Sequence, residues 1–319
     1  MDDTGENMIK FKENEIYISQ IENANLITHG GTFHADEVFS TIIFKNLLGK
    51  EIFLCRANSI DNNLIKEDAF VYDIGGGSLD HHQRGGNGER PNGIKYASFG
   101  LVWREYGKQF LESVGSHFID EVWESIEHKL VQTVDAVDNG QLNAIKKNGY
   151  TVYTISDFIS TFNAKWDEDA KNQNSYFIHA VKIIEKIFES LVKDEEAKQK
   201  AKKEVEQAIN ESNDGILVLD KYISWKESLI ESSNPKAEEI LFVVFPSTRG
   251  GFNVYTVPVE VGSFESRKLL PESWAGLQDA ELQKVTGVEN AVFCHNARFI
   301  CSAKTKEDAI KLAQIAINQ

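Results

Sequence analysis

Cysteine is scarce in this chain: Cys55, Cys294 and Cys301 are the only three among 319 residues. An odd number without paired C-x-x-C spacing argues against a disulfide framework or a zinc ribbon, so they read as small core residues of a protein in a reducing compartment. The expected location is cytoplasmic, with an organellar or nuclear one open for a eukaryote. Long apolar runs are missing too. None approaches the roughly twenty residues that a bilayer span requires, so no membrane partner is expected. The opening stretch MDDTGENMIKFKENE lacks a basic region leading into an apolar one and reads as a frayed or strand-forming leader, not a targeting peptide. Positive charge is also short, with 34 Lys and Arg against 49 Asp and Glu and a formal net charge of −15. That argues against duplex DNA, whose non-specific affinity scales with Lys/Arg–phosphate contacts. A polyanionic substrate stays open, because two divalent cations would place about four positive charges in one cleft whatever the sign of the surface. No glycine loop reads G-x-G-x-x-G between a strand and a helix, which argues against dinucleotide-cofactor chemistry. Internal repeats and low-complexity tracts are absent.

What is present is an ordinary globular composition, 41% hydrophobic and 26% charged, at a length that favours two domains. Short apolar runs at 24–28, 52–55 and 69–74 read as strands of a parallel sheet, and 35–48 reads as a helix stopping at Gly49. Trp123, Ile126, Leu130, Val131, Val134 and Val137 recur at helical intervals up to Asn139-Gly140, leaving Asp135 and Asp138 on the last turn. A long helix is expected over 176–210. Beyond it, 216–219, 239–245, 252–258 and 291–301 read as strands, the middle pair joined by a hairpin at 248–251, and 306–318 as a closing helix. The expected fold class is α/β: an N-terminal parallel-sheet domain over 1–170, a connector helix over 171–212, and a smaller C-terminal α/β domain over 213–319, with the active cleft between them.

The chemistry concentrates in four places. His29, His34 and Asp36 flank the first predicted helix; Asp73 ends a strand; Asp80-His81-His82 lies between two glycine-rich loops; Asp138 closes a helix. Each cluster taken singly reads more readily as loop polarity or turn chemistry. Their conjunction at strand and helix ends, where open α/β sheets bind ligands, points to a two-metal site. Imidazole and carboxylate donors suit Mn²⁺, Mg²⁺, Fe or Zn²⁺ better than a thiolate-loving ion. Asp73 is the natural bridge, with His29, His34 and Asp36 on one side and His81 and Asp138 on the other. Neighbouring residues do not easily share one ion, so His82 is assigned to the substrate phosphate and Asp80 to fixing a histidine tautomer. Arg84 can hold a phosphate bidentately. Arg267, Lys268 and His295 are further candidates for substrate contact. Of the five tryptophans only Trp274 is considered as a base-stacking platform, the others as core.

THGGTFHADE, VYDIGG, DHHQRG and VDAVDNG resemble the four motifs of the DHH phosphoesterase superfamily, and more closely those of the melanocyte proliferating gene one family of exonucleases. FESRKLLPESWAGL and AVFCHNARFICSAKTKEDAI resemble that family's C-terminal segments, so the likeness covers most of the chain. The resemblance implies a manganese-dependent phosphodiesterase, with Mg²⁺ as the alternative. Its DHH-type catalytic domain and substrate domain would trim single-stranded RNA from 3′ to 5′ by two-metal, in-line attack of an activated water. Where DHH relatives carry an aspartate this chain has His34, which leaves open whether His34 or Asp135 is a ligand. The relatives' run of three glycines and a histidine is also missing, with His295 and Arg298 as the substitutes. Two alternatives remain: a phosphoesterase for short oligonucleotides, dinucleotides or pyrophosphate, and a non-catalytic metal- or nucleotide-binding regulatory module. A homodimer is compatible with the sequence, which leaves the oligomeric state undecided.

Overall fold

Strands flanked by helices on both faces carry continuous apolar runs, and Leu26, Ile27 and Thr28 are all buried. In the computed structural model, which describes residues 9–142, 145–147 and 149–319, they belong to β2 of a four-stranded sheet. β1 (Ile16–Ile18), β2 (Leu26–His29), β3 (Ile52–Ala57) and β4 (Phe70–Val71) lie in the order β1-β3-β2-β4, every pair parallel. Residues 1–8 of the expected leader lie outside the described residues, and β1 follows it directly.

Helix α1 (Ala35–Leu48) ends at Gly49, whose φ of 62° is the left-handed conformation that favours glycine there. Its residues from Ala35 to Asn46 are buried, so it runs through the core and not over it. Among its buried polar residues, Lys45 and Asn46 reach the carboxylate of Glu185. Helix α2 (Ser98–Ser113) packs along α1. α3 (Ile119–Ile126) continues through a π-helical turn, Glu127–Val131, into α4 (Gln132–Asp138), so the predicted helix is one run with a widened middle. A hairpin of β5 (Ile145–Lys147) and β6 (Tyr150–Val152), a short α5 (Ile155–Ser160) and the long α6 (Gln173–Glu211) follow. The chain divides into two compact units, Met1–Glu196 and Ala197–Gln319, and the division falls inside α6.

The second unit holds β7 (Ile216–Val218), α7 (Lys226–Ile230), α8 (Pro235–Glu239), β8 (Phe242–Pro246), β9 (Phe252–Thr256), α9 (Asp279–Thr286), β10 (Ala291–Cys294), β11 (Ile300–Ala303) and α10 (Lys306–Asn318). Its sheet is mixed, in the order β10-β11-β9-β8-β7, with only β7 and β8 parallel. Both units are α/β, as the patterning implies. Two local expectations need correction. The run 291–301 is a hairpin and not one strand, because the chain reverses at His295–Phe299, where Arg298 has φ 59°. The strand expected from 239 starts only at Phe242, since Asn234 caps a helical turn with Pro235 at its first position. Among the described residues no helix is long and apolar enough to cross a membrane.

Candidate metal centre

The C-terminal ends of β2 and β4 and the N-terminus of α1 meet at one edge of the first sheet, and the chemistry gathers there. His29 is the last residue of β2. Gly31 (φ 76°) turns the chain toward α1, and the side-chain amide of Asn163 clamps Phe33 by accepting from its N–H at 2.9 Å and donating to its carbonyl at 2.8 Å. His34 precedes α1, and Asp36 and Glu37 occupy its first turn, where the helix dipole favours acids. Asp73 follows β4 with φ 58°, a left-handed conformation that aspartate tolerates better than most residues. Buried Asp80 organises the next loop: it accepts from Gly76 N–H at 2.7 Å and His82 N–H at 2.9 Å, and lies 3.1 Å from His82 Nδ1.

The donor atoms converge. His29 Nε2 lies 2.9 Å from Glu37 Oε1 and 3.2 Å from Asp73 Oδ2. The other Asp73 oxygen, Oδ1, lies 3.4 Å from His81 Nε2 and 3.2 Å from His82 Nδ1. His81 Nε2 also meets Asp138 Oδ2 at 3.0 Å and Asp36 Oδ2 at 3.8 Å, and His34 Nδ1 faces Asp138 Oδ1 at 3.8 Å. Asp73 therefore touches both sides of the cluster. The His29 Nδ1 atom sits 2.8 Å from the Gly30 carbonyl, which places its proton there and leaves Nε2 toward the acids.

Proximity here is not hydrogen bonding. His29 Nε2, His81 Nε2, Glu37 Oε1 and both oxygens of Asp36 and Asp73 are buried, yet none has a partner in hydrogen-bonding geometry. Buried carboxylate oxygens without donors are costly, and a cation is what such a set is built to receive. The groups His29–His34–Glu37, Asp73–His81–His82, His34–Asp36–Asp138 and Asp36–Glu37–Asp73 each bring their donors within 4.8 Å of one another. Histidine and carboxylate without thiolate fit a hard or borderline divalent ion. Protonation follows the crowding. Burial alone would lower the pKa of His29, but Asp73 and Glu37 outweigh it and raise it to about 11; Asp138 and Asp73 likewise raise His81 to about 10 against its burial. Burial opposes ionisation of Asp73, yet His29, His81 and His82 hold it below the usual carboxylate range. Asp36 goes the other way, raised well above 3.8 by burial and then by Asp73, Asp138 and Glu37. Without a cation, the cluster is neutralised by protons.

Of the residues singled out in the sequence, His29, His34, Asp36, Asp73, His81 and Asp138 come together, with His82 and Asp80 beside them. Arg84 is exposed on the adjoining glycine-rich loop. Asp135 does not join them: its carboxylate accepts from Gly100 N–H at 2.9 Å and pairs with Arg90 Nη1 at 2.8 Å. In the second unit, the Arg267 guanidinium donates to the carbonyls of Ala237 and Ile240, Lys268 Nζ to that of Ile317 at 2.6 Å, and Arg298 Nη1 to that of Leu270 at 3.3 Å. The His295 ring accepts from Ala297 N–H at 3.0 Å. Trp274 is fully buried, so it belongs to the core and offers no stacking face. Glu37 is the member that sequence reasoning missed. Its signal was an acid in a helix's first turn, which reads as capping, and it does accept from His34 N–H at 2.8 Å.

Fold and site together define an α/β protein with a histidine–carboxylate cluster, able to hold a metal ion, at the C-terminal edge of a parallel sheet. The model of the family MYG1_exonuc, described as Uncharacterised protein family (UPF0160), matches residues 25–317, and the chain belongs to this family. It is 31% identical to the MYG1 protein YER156C of Saccharomyces cerevisiae, over 92% of this chain and 95% of that one. It is 29% identical to the MYG1 exonuclease of Mus musculus and 27% identical to that of Homo sapiens, covering 92% of this chain and 84% and 85% of theirs. No solved structure matches the chain.

Proposed function

We propose that this chain is a divalent-metal-dependent phosphodiesterase of the DHH type, a 3′-to-5′ exonuclease that trims single-stranded RNA with two Mn²⁺ ions. The observation that carries this reading is the set of buried, unpartnered nitrogen and oxygen atoms around Asp73. The relatives named exonucleases support the nuclease class of this reading. His29, His34, Asp36, Glu37, Asp73, His81 and Asp138 would hold the ions, with Asp73 between the two sides. When bound, the ions supply water activation and a clamp on the phosphoryl oxygens. The chain's own contribution is electrostatic and positional. His82, half-exposed and held by Asp80, lies 3.2 Å from Asp73 Oδ1 and would donate a hydrogen bond to a phosphate oxygen as negative charge develops there. Arg84, exposed on the adjoining loop, would add a second donor. In the second unit, Arg267 and Lys268 are committed to carbonyls, which leaves His295 as the better candidate for substrate contact.

A 5′-labelled single-stranded RNA incubated with Mn²⁺ and the protein tests the reading, with the His81→Ala variant alongside. A ladder shortening from the 3′ end, absent with the variant, is the expected result. No cleavage by the unmodified chain, or equal cleavage by the variant, would overturn it.

A further inference from the structure

A buried arginine stands behind the carboxylates of the metal centre. Arg56 is the penultimate residue of β3, and the parallel register sets it beside Thr28, one residue before His29. Its side chain is fully buried, and Nη2 lies 4.0 Å from Glu37 Oε1. Nη2 donates to the Gly31 carbonyl at 2.9 Å and Nη1 to Asn174 Oδ1 at 3.3 Å. The guanidinium lies over the Phe177 ring, 4.4 Å from its centroid, and 5.5 Å from that of Phe33. Its Nε is buried without a hydrogen-bond partner.

Packing alone does not account for an arginine here. A charge withdrawn from water and an unsatisfied donor both cost stability, and an apolar side chain would fill the space between two phenylalanines without either. What the guanidinium reaches is more telling. Gly31 belongs to the turn that carries the chain from His29 to His34, Glu37 lies in the first turn of α1, and Asn174 and Phe177 begin α6. A planar fork holds Gly31 and Asn174 from two nitrogens at once, which a lysine ammonium cannot reproduce. Toward Glu37 it acts by charge and not by hydrogen bonding. Glu37 Oε2 accepts from His34 N–H, while Oε1 stays turned to His29 Nε2 with no hydrogen-bond donor on it. We propose that Arg56 is a positioning residue of the metal centre: it holds the segment from His29 to Glu37 so that those donor atoms stay converged, and occupies none of them. This role rests on the metal reading above, and Arg56 itself touches neither ion nor substrate.

The test is Mn²⁺ binding to the metal-free full chain, followed by the free-ion signal in electron paramagnetic resonance, so that no turnover enters the readout. Arg56→Gln is expected to weaken binding about tenfold. Arg56→Lys keeps the charge and loses the fork, and is expected to fall between Arg56→Gln and the unmodified chain. In a Glu37→Gln background the Arg56→Gln change is expected to cost less than about threefold, because part of what Arg56 holds is then gone. Phe110→Leu, in the apolar core of the same unit, is expected to lower Tm and leave Mn²⁺ affinity unchanged. Unchanged affinity in Arg56→Gln, its full effect persisting beside Glu37→Gln, or an equal loss in Phe110→Leu overturns the role. If circular dichroism shows that Arg56→Gln does not fold, Arg56→Lys decides, and affinity equal to that of the unmodified chain overturns the role. An unmodified chain that binds no Mn²⁺ removes the metal reading itself, whereas equal binding by it and by Arg56→Gln removes the positioning role alone.

Discussion

At the scale of single residues, Asp73 carries the most. Its two oxygens face opposite sides of the cluster and its backbone is left-handed. Asparagine tolerates that backbone and keeps the shape while losing the charge. Asp73→Asn should therefore lower metal-dependent turnover by about a thousandfold with the fold retained, whereas Asp73→Ala should add roughly 1 kcal/mol of backbone strain. Steady-state rates with circular-dichroism melts of both variants check this. Protons and cations compete for the same atoms. His29 and His81, raised to about 11 and about 10, are imidazolium at neutral pH in the metal-free protein. Metal binding must expel those protons, so affinity should rise with pH between 6.5 and 9 and proton release should show in calorimetry across buffers of different ionisation enthalpy. The same shifts act on stability. Their contribution is complete below the unfolded value near 6.5 and is lost as pH rises through the folded values. The Tm of the metal-free protein should accordingly fall over that range, and a flat or rising Tm would contradict the assignment.

At the scale of elements, the centre depends on how α4 is held. Asp135 points away from the cluster, to Arg90 and the Gly100 N–H of α2, and Arg90 also binds Glu127 in the π-helical turn. Burial raises Asp135 to about 7 even against the pull of Arg90. This buried triad fixes the last turn of α4, and with it Asp138. Gly100 has no space for a side chain: a Cβ there would overlap the Asp135 carboxylate and lie 2.7 Å from Arg90 Nη2. Gly100→Ala should destabilise the protein by roughly 3 kcal/mol and weaken metal binding, because Asp138 moves with its helix. Urea unfolding and metal titration of that variant measure both. The sequence placed Asp135 and Asp138 on one helical turn. The sequence assigned Asp138 to the cluster but left Asp135 open as a further ligand, since the partner that turns Asp135 away, Arg90, lies 45 residues upstream.

At the scale of the whole molecule, the two units have separate apolar cores. One is built around Phe39, Phe99, Trp103 and Phe188, the other around the faces of the mixed sheet. All the clustered ligands belong to the first. Bound cation stabilises what it touches, so Mn²⁺ should slow hydrogen exchange in peptides covering 26–40, 70–84 and 130–140 and leave those covering 242–303 unchanged. Mass spectrometry of exchange with and without Mn²⁺ reads this directly.

Much was legible beforehand because it depends on neighbours in the chain. Period and punctuation determined α1 to its final residue, since Gly49 stops it, and likewise α10, three of the four strands of the first sheet and the α/β class. The order His29, His34, Asp36, Asp73, His81, Asp138 was visible because these clustered residues sit at strand and helix ends, which local signals mark. Only tertiary structure decided the rest. Glu37 joins the cluster because α1 starts where β2 and β4 end, Arg267 turns to the carbonyls of Ala237 and Ile240, and Trp274 is enclosed while Tyr222 and Phe264 are not. Such outcomes depend on which side chains packing brings together across tens of residues, and local periodicity carries no information about that distance.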